Sequence, residues 1–146
     1  MKTIRALSIL AVLACTVSAG AAYALRQYYD TTWAYSQNYG YYYTTYYFQP
    51  TVAQTSYTYH YCIYYPYQPQ YIYYYNPGSQ VYWGRYEIGS KGDQRYSLLA
   101  EKDRKKELKD IPDSAFPKPG KMPTIPGAKD GVAIEPPPEN VPKDKK

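Results

Sequence analysis

The residues best suited to chemistry in this sequence are His60 and Cys62, two positions apart in a tyrosine-rich run. In a strand both side chains would lie on one face, close enough for a Cys–His pair or for two ligands of a soft metal. A zinc or copper site requires three or four protein ligands, and His60 is the single histidine of the chain. We therefore interpret the pair as a half-buried histidine and a small apolar cysteine and predict no metal or cofactor; a metal bridging two copies of the chain is the alternative.

Other catalytic arrangements are poorly represented. Between residues 25 and 90 the acidic residues are Asp30 and Glu87, and nothing in the sequence brings them together as the paired carboxylates of a glycosidase. The segment Gly89-Ser90-Lys91-Gly92 lacks the Walker pattern of a phosphate-binding loop. General acid–base catalysis needs titratable groups that converge, so the sequence predicts a protein that is not an enzyme and has no catalytic residues.

Tyrosine is the dominant residue type, with 22 of the 23 tyrosines between residues 25 and 96. A module of this size cannot bury all of them, and exposed aromatic patches usually mark contact sites. The predicted partners are a second copy of the chain or other envelope proteins; the alternative is a small glycan-binding module that stacks sugars on Trp83 and neighbouring tyrosines. The predicted contact surface consists of Tyr71, Tyr73, Tyr74, Tyr82, Trp83 and Tyr86.

A predicted β-hairpin positions these residues. Asn76-Pro77-Gly78-Ser79 has the proline and glycine of a tight turn. A four-residue loop there pairs Tyr73 with Tyr82, and Tyr71 with Gly84, where the missing side chain leaves room for the ring. One face is then more apolar and is expected to pack inward, with Ile72, Tyr74, Val81 and Trp83; the other is phenolic and is expected to face outward, with Tyr71, Tyr73, Tyr75, Tyr82 and Tyr86.

The predicted fold class is mainly β. An isolated hairpin is marginal in water, and the period-two alternation in residues 55–65 predicts a third strand, giving a small antiparallel meander over residues 56–96. Residues 25–55 form a low-complexity segment rich in Tyr, Gln and Thr, in which residues 39–48 are a further candidate strand.

Charge and proline dominate the end of the chain. Ser97 as N-cap and the pair Glu101–Lys105 predict a short charged helix in residues 97–111, helical over about 98–110. Nine of the 13 prolines follow Asp110, so residues 112–146 are predicted to be a disordered, polyproline-like tail. Acidic residues interleave with the basic ones, and no nucleic-acid partner is predicted.

The N-terminus predicts export. Lys2 and Arg5 precede an apolar run that ends in small residues, which is typical of a secretory signal peptide over residues 1–24, cleaved after Ala24 or alternatively after Ala19. An uncleaved membrane anchor is a further alternative, because residues 6–25 carry no formal charge. The predicted location is the periplasm, the cell envelope or the extracellular space.

The two cysteines have separate predicted roles. The string Val12-Leu13-Ala14-Cys15 resembles the lipobox of bacterial lipoproteins, which makes Cys15 a candidate for lipidation. Contact with a membrane is expected only if Cys15 is lipidated or the signal is not cleaved. Cleavage leaves Cys62 without an intrachain partner, so Cys62 is a candidate for a thiol that pairs with a second chain.

The strings YYYNP and YWGRY, followed by RYSLLAEKDRK and IPDSAFPKPG, resemble uncharacterised exported tyrosine-rich proteins predicted in planctomycete bacteria. The resemblance covers about residues 71–134. It implies a bacterial envelope setting, and it implies no functional residue because that family has no assigned activity. The sequence as a whole predicts a non-enzymatic exported structural or interaction protein that uses an exposed tyrosine-rich β surface.

Overall fold

The computed structural model of the protein describes residues 26–143. Seven antiparallel strands form one sheet in the order β1-β3-β4-β5-β6-β7, with β2 beside β1 on the same edge of β3. This architecture confirms the prediction of a mainly β fold. The strands are β1 (Gln27–Tyr29), β2 (Ala34–Ser36), β3 (Tyr41–Phe48), β4 (Thr58–Tyr64), β5 (Tyr71–Asn76), β6 (Val81–Glu87) and β7 (Tyr96–Leu98).

The strands form where tyrosine and threonine are concentrated, because aromatic and β-branched side chains suit a pleated, half-buried surface. Strands β3 and β4 pair from Tyr42↔Tyr64 to Phe48↔Thr58, which places both candidate strands of the sequence in one antiparallel pair. The predicted low-complexity segment, residues 25–55, contributes β1, β2 and β3. The predicted boundary near residue 55 therefore falls in a loop within the sheet and does not separate two modules.

The β5–β6 hairpin is present, but its register differs from the predicted one. Asn76 pairs with Val81, so the loop begins at Pro77 and includes Gln80, which adopts a positive φ of 57°. The Asn76 side chain closes the turn by accepting a hydrogen bond from the Gly78 amide at 2.8 Å. The prediction located the turn but placed its loop one residue too early, because it ignored the asparagine side chain, which competes with the backbone for such donors.

A β-bulge shifts the pairing of β5 with β6 by one more residue beyond the turn. Tyr75 pairs with Tyr82, whereas Tyr74 pairs with Gly84, which leaves Trp83 as the extra residue. The bulge brings Trp83 and Tyr86 to the same side of the sheet. The ring over Gly84 belongs to Tyr96 of β7, because a Cβ at Gly84 would overlap that ring; the predicted partner, Tyr71, pairs with Glu87.

Both faces of the sheet carry a core. The first face packs against Ile125 and Ile134, and the second against Leu99, Ile111 and Phe116. The C-terminal segment, residues 99–143, therefore crosses the second face and then the first. The first-face sheet residues are Tyr46, Phe48, Cys62, Ile72, Tyr74, Trp83, Tyr86 and Tyr96, and the second-face ones are Ile63, Tyr65, Tyr73 and Tyr82.

The predicted helix over residues 98–110 is wrong. In its place are two 3₁₀ turns, Glu101–Asp103 and Leu108–Asp110, followed by a third at Asp113–Ala115. Ser97 does not act as an N-cap, because it lies in β7 and its hydroxyl donates to the Pro117 carbonyl at 2.7 Å. The few apolar residues of the segment gain more by packing on the sheet than a thinly striped helix would offer.

The predicted disorder of the tail is also wrong for residues 112–143. Phe116, Ile125 and Ile134 are buried, and Gly120 exchanges backbone hydrogen bonds of 3.0 and 2.8 Å with Tyr96. Proline blocks helices and central strands, but an extended chain on a sheet surface needs few donors. Isolated apolar residues between the prolines hold this segment against the sheet, together with hydrogen bonds such as that from Gln27 Nε2 to the Ala133 carbonyl at 2.9 Å.

Several predictions fall on residues that the structure does not describe. They concern the signal peptide, its cleavage after Ala24 or Ala19, and the lipidation of Cys15. Within residues 26–143, no helix is both long and apolar enough to cross a membrane.

Candidate interaction surface

The structure does not bring the predicted contact residues to the surface. Five of the six are between 0 and 6% exposed: Tyr73, Tyr74, Tyr82, Trp83 and Tyr86. The sixth, Tyr71, is half-buried under the Arg85 guanidinium, which lies 3.8 Å from the ring centroid. The predicted surface is therefore wrong, because the C-terminal segment covers the part of the sheet on which it was placed.

One group of exposed and half-buried tyrosines lies on the other half of the second face, on β1, β3, β4 and the residue that precedes β4. We call this surface the tyrosine patch. The alternation of side chains along paired strands brings its members together, since Tyr28 is opposite Tyr47 and Tyr47 is opposite Tyr59. Tyr28 and Tyr59 are each 45% exposed. The patch consists of Tyr28, Tyr43, Tyr47, Tyr57, Tyr59 and Tyr61.

Ring contacts run through the whole patch. Tyr28 stacks on Tyr47 with centroids 4.8 Å apart and meets Tyr57 edge-on at 5.1 Å. The chain of contacts continues from Tyr47 to Tyr59 at 6.3 Å, to Tyr61 at 5.7 Å and to Tyr43 at 5.6 Å. Such pairs are worth about 0.5–1.5 kcal/mol each beyond burial. The rings hold one another in place, which lowers the entropy that a partner must remove on binding.

The patch carries no formal charge. The second-face positions of β1, β3 and β4 are occupied by tyrosine, threonine and isoleucine. Desolvation, followed by the neighbouring Tyr59, raises the pKa of the Tyr61 phenol above its usual value. A partner therefore meets aromatic area and neutral hydroxyl groups and does not have to desolvate a charge.

A groove of about 380 Å³ lies where the patch meets the C-terminal segment. Tyr61 belongs to both the patch and the groove, whose opposite wall carries the charged residues Lys106, Glu107 and Lys109. Tyr39 and Tyr67 at its rim are 70 and 71% exposed. The other tyrosines that line the groove are Tyr41, Tyr65, Tyr75 and Tyr82.

His60 and Cys62 are more buried than predicted. The His60 ring lies between Phe48 and Trp83, with centroids 4.9 and 5.5 Å away, and burial lowers its pKa to about 4. Cys62 has no exposed surface, and burial raises the pKa of its thiol. The predicted pairing of Cys62 with a second chain is therefore wrong for the folded protein. Within the described part of the chain, no three His, Cys, Asp or Glu residues are placed to hold a metal ion.

A scan against protein-family models, a search of curated proteins and a search of solved structures each found no match to this chain. The resemblance to planctomycete proteins stays a prediction.

Sequence reasoning missed the tyrosine patch because it treated residues 25–55 as low-complexity material. The signal was present: Tyr43 and Tyr47 recur at even spacing, as do Tyr57, Tyr59 and Tyr61. Even spacing places residues on one face of a strand. The pairing of two such strands can be predicted from the sequence. Whether their common face remains exposed to solvent depends on where residues 99–143 lie.

Proposed function

We propose that this protein is a non-enzymatic, exported interaction protein of the bacterial cell envelope, and that the tyrosine patch binds another polypeptide. The partner is a second copy of the chain or another envelope protein. The observation that carries the proposal is the continuous, uncharged ring surface from Tyr57 to Tyr43, which stays partly exposed where the chain's own C-terminal segment does not cover the second face.

The chemistry of the patch favours a polypeptide partner. Tyrosine combines a large contact area with a hydroxyl group and loses little side-chain entropy, which explains its enrichment at protein interfaces. Its rings here are already ordered by contacts of 4.8 to 6.3 Å. The export part of the proposal rests on the signal-peptide pattern of residues 1–24.

Glycan binding is the second candidate, and the groove beside the patch favours it. Aromatic rings next to a few polar groups are the usual composition of a small-ligand site, and the groove combines tyrosines with Lys106 and Glu107. Trp83 cannot serve as the stacking platform, since its ring is 6% exposed and packs against Tyr74 and Tyr96.

The test is a double substitution in the patch, Tyr28→Ser with Tyr59→Ser. Sedimentation velocity measures self-association of the purified protein, and cell fractionation measures association with the envelope. If the patch is the interface, the variant weakens one of these associations about tenfold or more, because central aromatic residues dominate interface energies. Tyr35→Ser is the matched control, since Tyr35 is 53% exposed and is paired with Tyr42 on the first face.

Association of the double variant equal to that of the wild-type protein in both measurements would overturn the proposal. A purified cell-wall glycan is titrated in parallel. Binding of this glycan that is lost in the double variant, without any change in protein association, would assign the patch to the glycan.

A further inference from the structure

A second cavity, of about 280 Å³, lies beside the β5–β6 turn, on the side of the first-face residue Trp83. His60 of β4 and the bulged Trp83 form its wall on the sheet side. Arg104 of the C-terminal segment lies on another side. The remaining lining residues include Val81, Leu98, Pro123 and Pro126, together with the polar Asn76, Ser79 and Thr124.

Two buried ring nitrogens in this wall lack a hydrogen-bond partner within the protein. They are His60 Nδ1 and Trp83 Nε1, and the two side chains are only 5 and 6% exposed. An unpaired buried polar group destabilises the folded protein, because it has lost its hydrogen bonds to water. Some buried phenols of the sheet are paired, as Tyr46 is by donating to Gln27 at 2.8 Å, whereas the Tyr96 hydroxyl also lacks a partner. Among the side chains of residues 26–143 with such an unpaired atom, His60 and Trp83 line this cavity and their ring centroids are 5.5 Å apart, which makes the cavity a candidate ligand site.

The charges around the cavity define the ligand. The indole N–H can only donate, and a guanidinium can only donate. Arg104 is anchored by its Nε, which donates to the Leu99 carbonyl at 3.2 Å, and it brings a positive charge to the wall. No acidic residue lines the cavity within the described residues. The site therefore suits an anionic acceptor, and its leucine, valine and proline residues suit an apolar body.

We propose that this cavity binds a small organic carboxylate, whose oxygens accept hydrogen bonds from Trp83 Nε1 and from the Arg104 guanidinium. Its body packs against Leu98 and Pro123. A single cation in a largely apolar wall matches one carboxylate group better than a doubly charged phosphate. The site uses neither the tyrosine patch nor its groove, so the proposal does not depend on the function proposed above.

The indole N–H resonances provide a direct test, because the chain has two tryptophans, Trp33 and Trp83. The ¹⁵N-labelled protein is titrated with millimolar benzoate, and with the uncharged benzamide as a matched ligand. Benzoate is expected to move the Trp83 indole resonance downfield and to leave that of Trp33 in place. Benzamide is expected to bind about tenfold more weakly, since charge-assisted hydrogen bonds are the stronger ones.

Arg104→Gln is expected to weaken benzoate binding about tenfold, because it removes the charge from the wall. Lys102→Gln removes the same charge from the same segment outside the cavity and is expected to leave binding unchanged. A Trp83 resonance that does not respond to benzoate would overturn the proposal. Equal affinity for benzoate and benzamide, or an equal loss in the two variants, would overturn the assignment of a carboxylate site.

Discussion

Tyrosines dominate both the tyrosine patch and the part of the sheet that lies under the C-terminal segment. We call that part the covered sheet and the segment, residues 99–143, the cover. On the second face Tyr73 and Tyr82 lie under Leu99, Ile111 and Phe116, and Tyr82 is 4% exposed. Tyr59 lies on the same face of β4, the strand next to the β5 strand of Tyr73, and is 45% exposed. The difference lies in the path of the C-terminal segment, so tyrosine content by itself does not identify a surface.

Hydroxyl groups form hydrogen bonds in both regions, and in the patch one joins the side chains of Tyr59 and Tyr61. Covered tyrosines form internal hydrogen bonds, such as the 2.8 Å bond between Tyr29 and Tyr74. Burial also raises the pKa of Tyr65 and of Tyr73 to about 12. The patch tyrosines contact one another through their rings. Covered tyrosines therefore contribute mainly to stability, whereas patch tyrosines such as Tyr28 and Tyr59 keep much of their side chain exposed.

The largest expected effect comes from removing a residue that holds the cover. Phe116→Ala is expected to lower the free energy of unfolding by about 3–5 kcal/mol, because it leaves a cavity beside Tyr73 and the Arg85 guanidinium. Tyr59→Ala removes an aromatic ring of similar size from the patch and is expected to cost about 1–3 kcal/mol, because it breaks the ring contacts with Tyr47 and Tyr61. Urea unfolding measures both, and equal losses would erase the distinction between the two regions.

The pH dependence of stability tests whether the His60 ring is shielded from water on the first face. Burial lowers its pKa from 6.5 to about 4, so the folded protein favours the neutral ring while the unfolded chain takes up a proton at its ordinary pKa. The resulting stability is complete above pH 6.5 and is lost as the pH falls to about 4. The expected loss is about 3 kcal/mol.

His60→Phe isolates this contribution from the carboxylates that titrate in the same range. The difference in unfolding free energy between wild type and variant is measured in urea at pH 7 and at pH 4. Relative to wild type, the variant is expected to have a higher unfolding free energy at pH 4 than at pH 7. A difference independent of pH would show that the His60 ring is hydrated in the folded protein.

A smaller effect is expected from deleting single hydroxyl groups. Tyr82→Phe leaves the buried Tyr65 hydroxyl without the 2.7 Å hydrogen bond that joins the two side chains. The expected cost is about 1–3 kcal/mol. Tyr59→Phe deletes the hydroxyl of a 45% exposed residue, where water can replace the hydrogen bond to Tyr61, and is expected to change stability by less than about 0.5 kcal/mol. Thermal unfolding of the pair measures the difference, and a Tyr59→Phe loss matching that of Tyr82→Phe would show that the patch is structural.

Much of the sheet was predictable from sequence, and the site was not. The alternation around His60 and the turn at Pro77-Gly78 located β4, β5 and β6, because strand periodicity and turn chemistry are local. The shifted register depended on the Asn76 side chain and on the bulge at Trp83. The exposed surface depended on Phe116, Ile125 and Ile134, single apolar residues among prolines, whose packing is decided by contacts distant in sequence.

The smallest expected effect concerns the ion pair that joins the cover to the second face. Arg85 Nη1 lies 2.6 Å from Asp113 Oδ1, and the Asp113 side chain is 85% exposed. Arg85 itself lies between the rings of Tyr71 and Phe116, at 3.8 and 4.1 Å. Asp113→Asn keeps the shape and removes the charge, and is expected to cost about 1 kcal/mol or less, diminishing with added salt. Urea unfolding at low and high ionic strength measures this. A loss as large as that of Phe116→Ala would mean that charge, and not packing, holds the cover on the sheet and keeps Tyr73 apart from the open tyrosines.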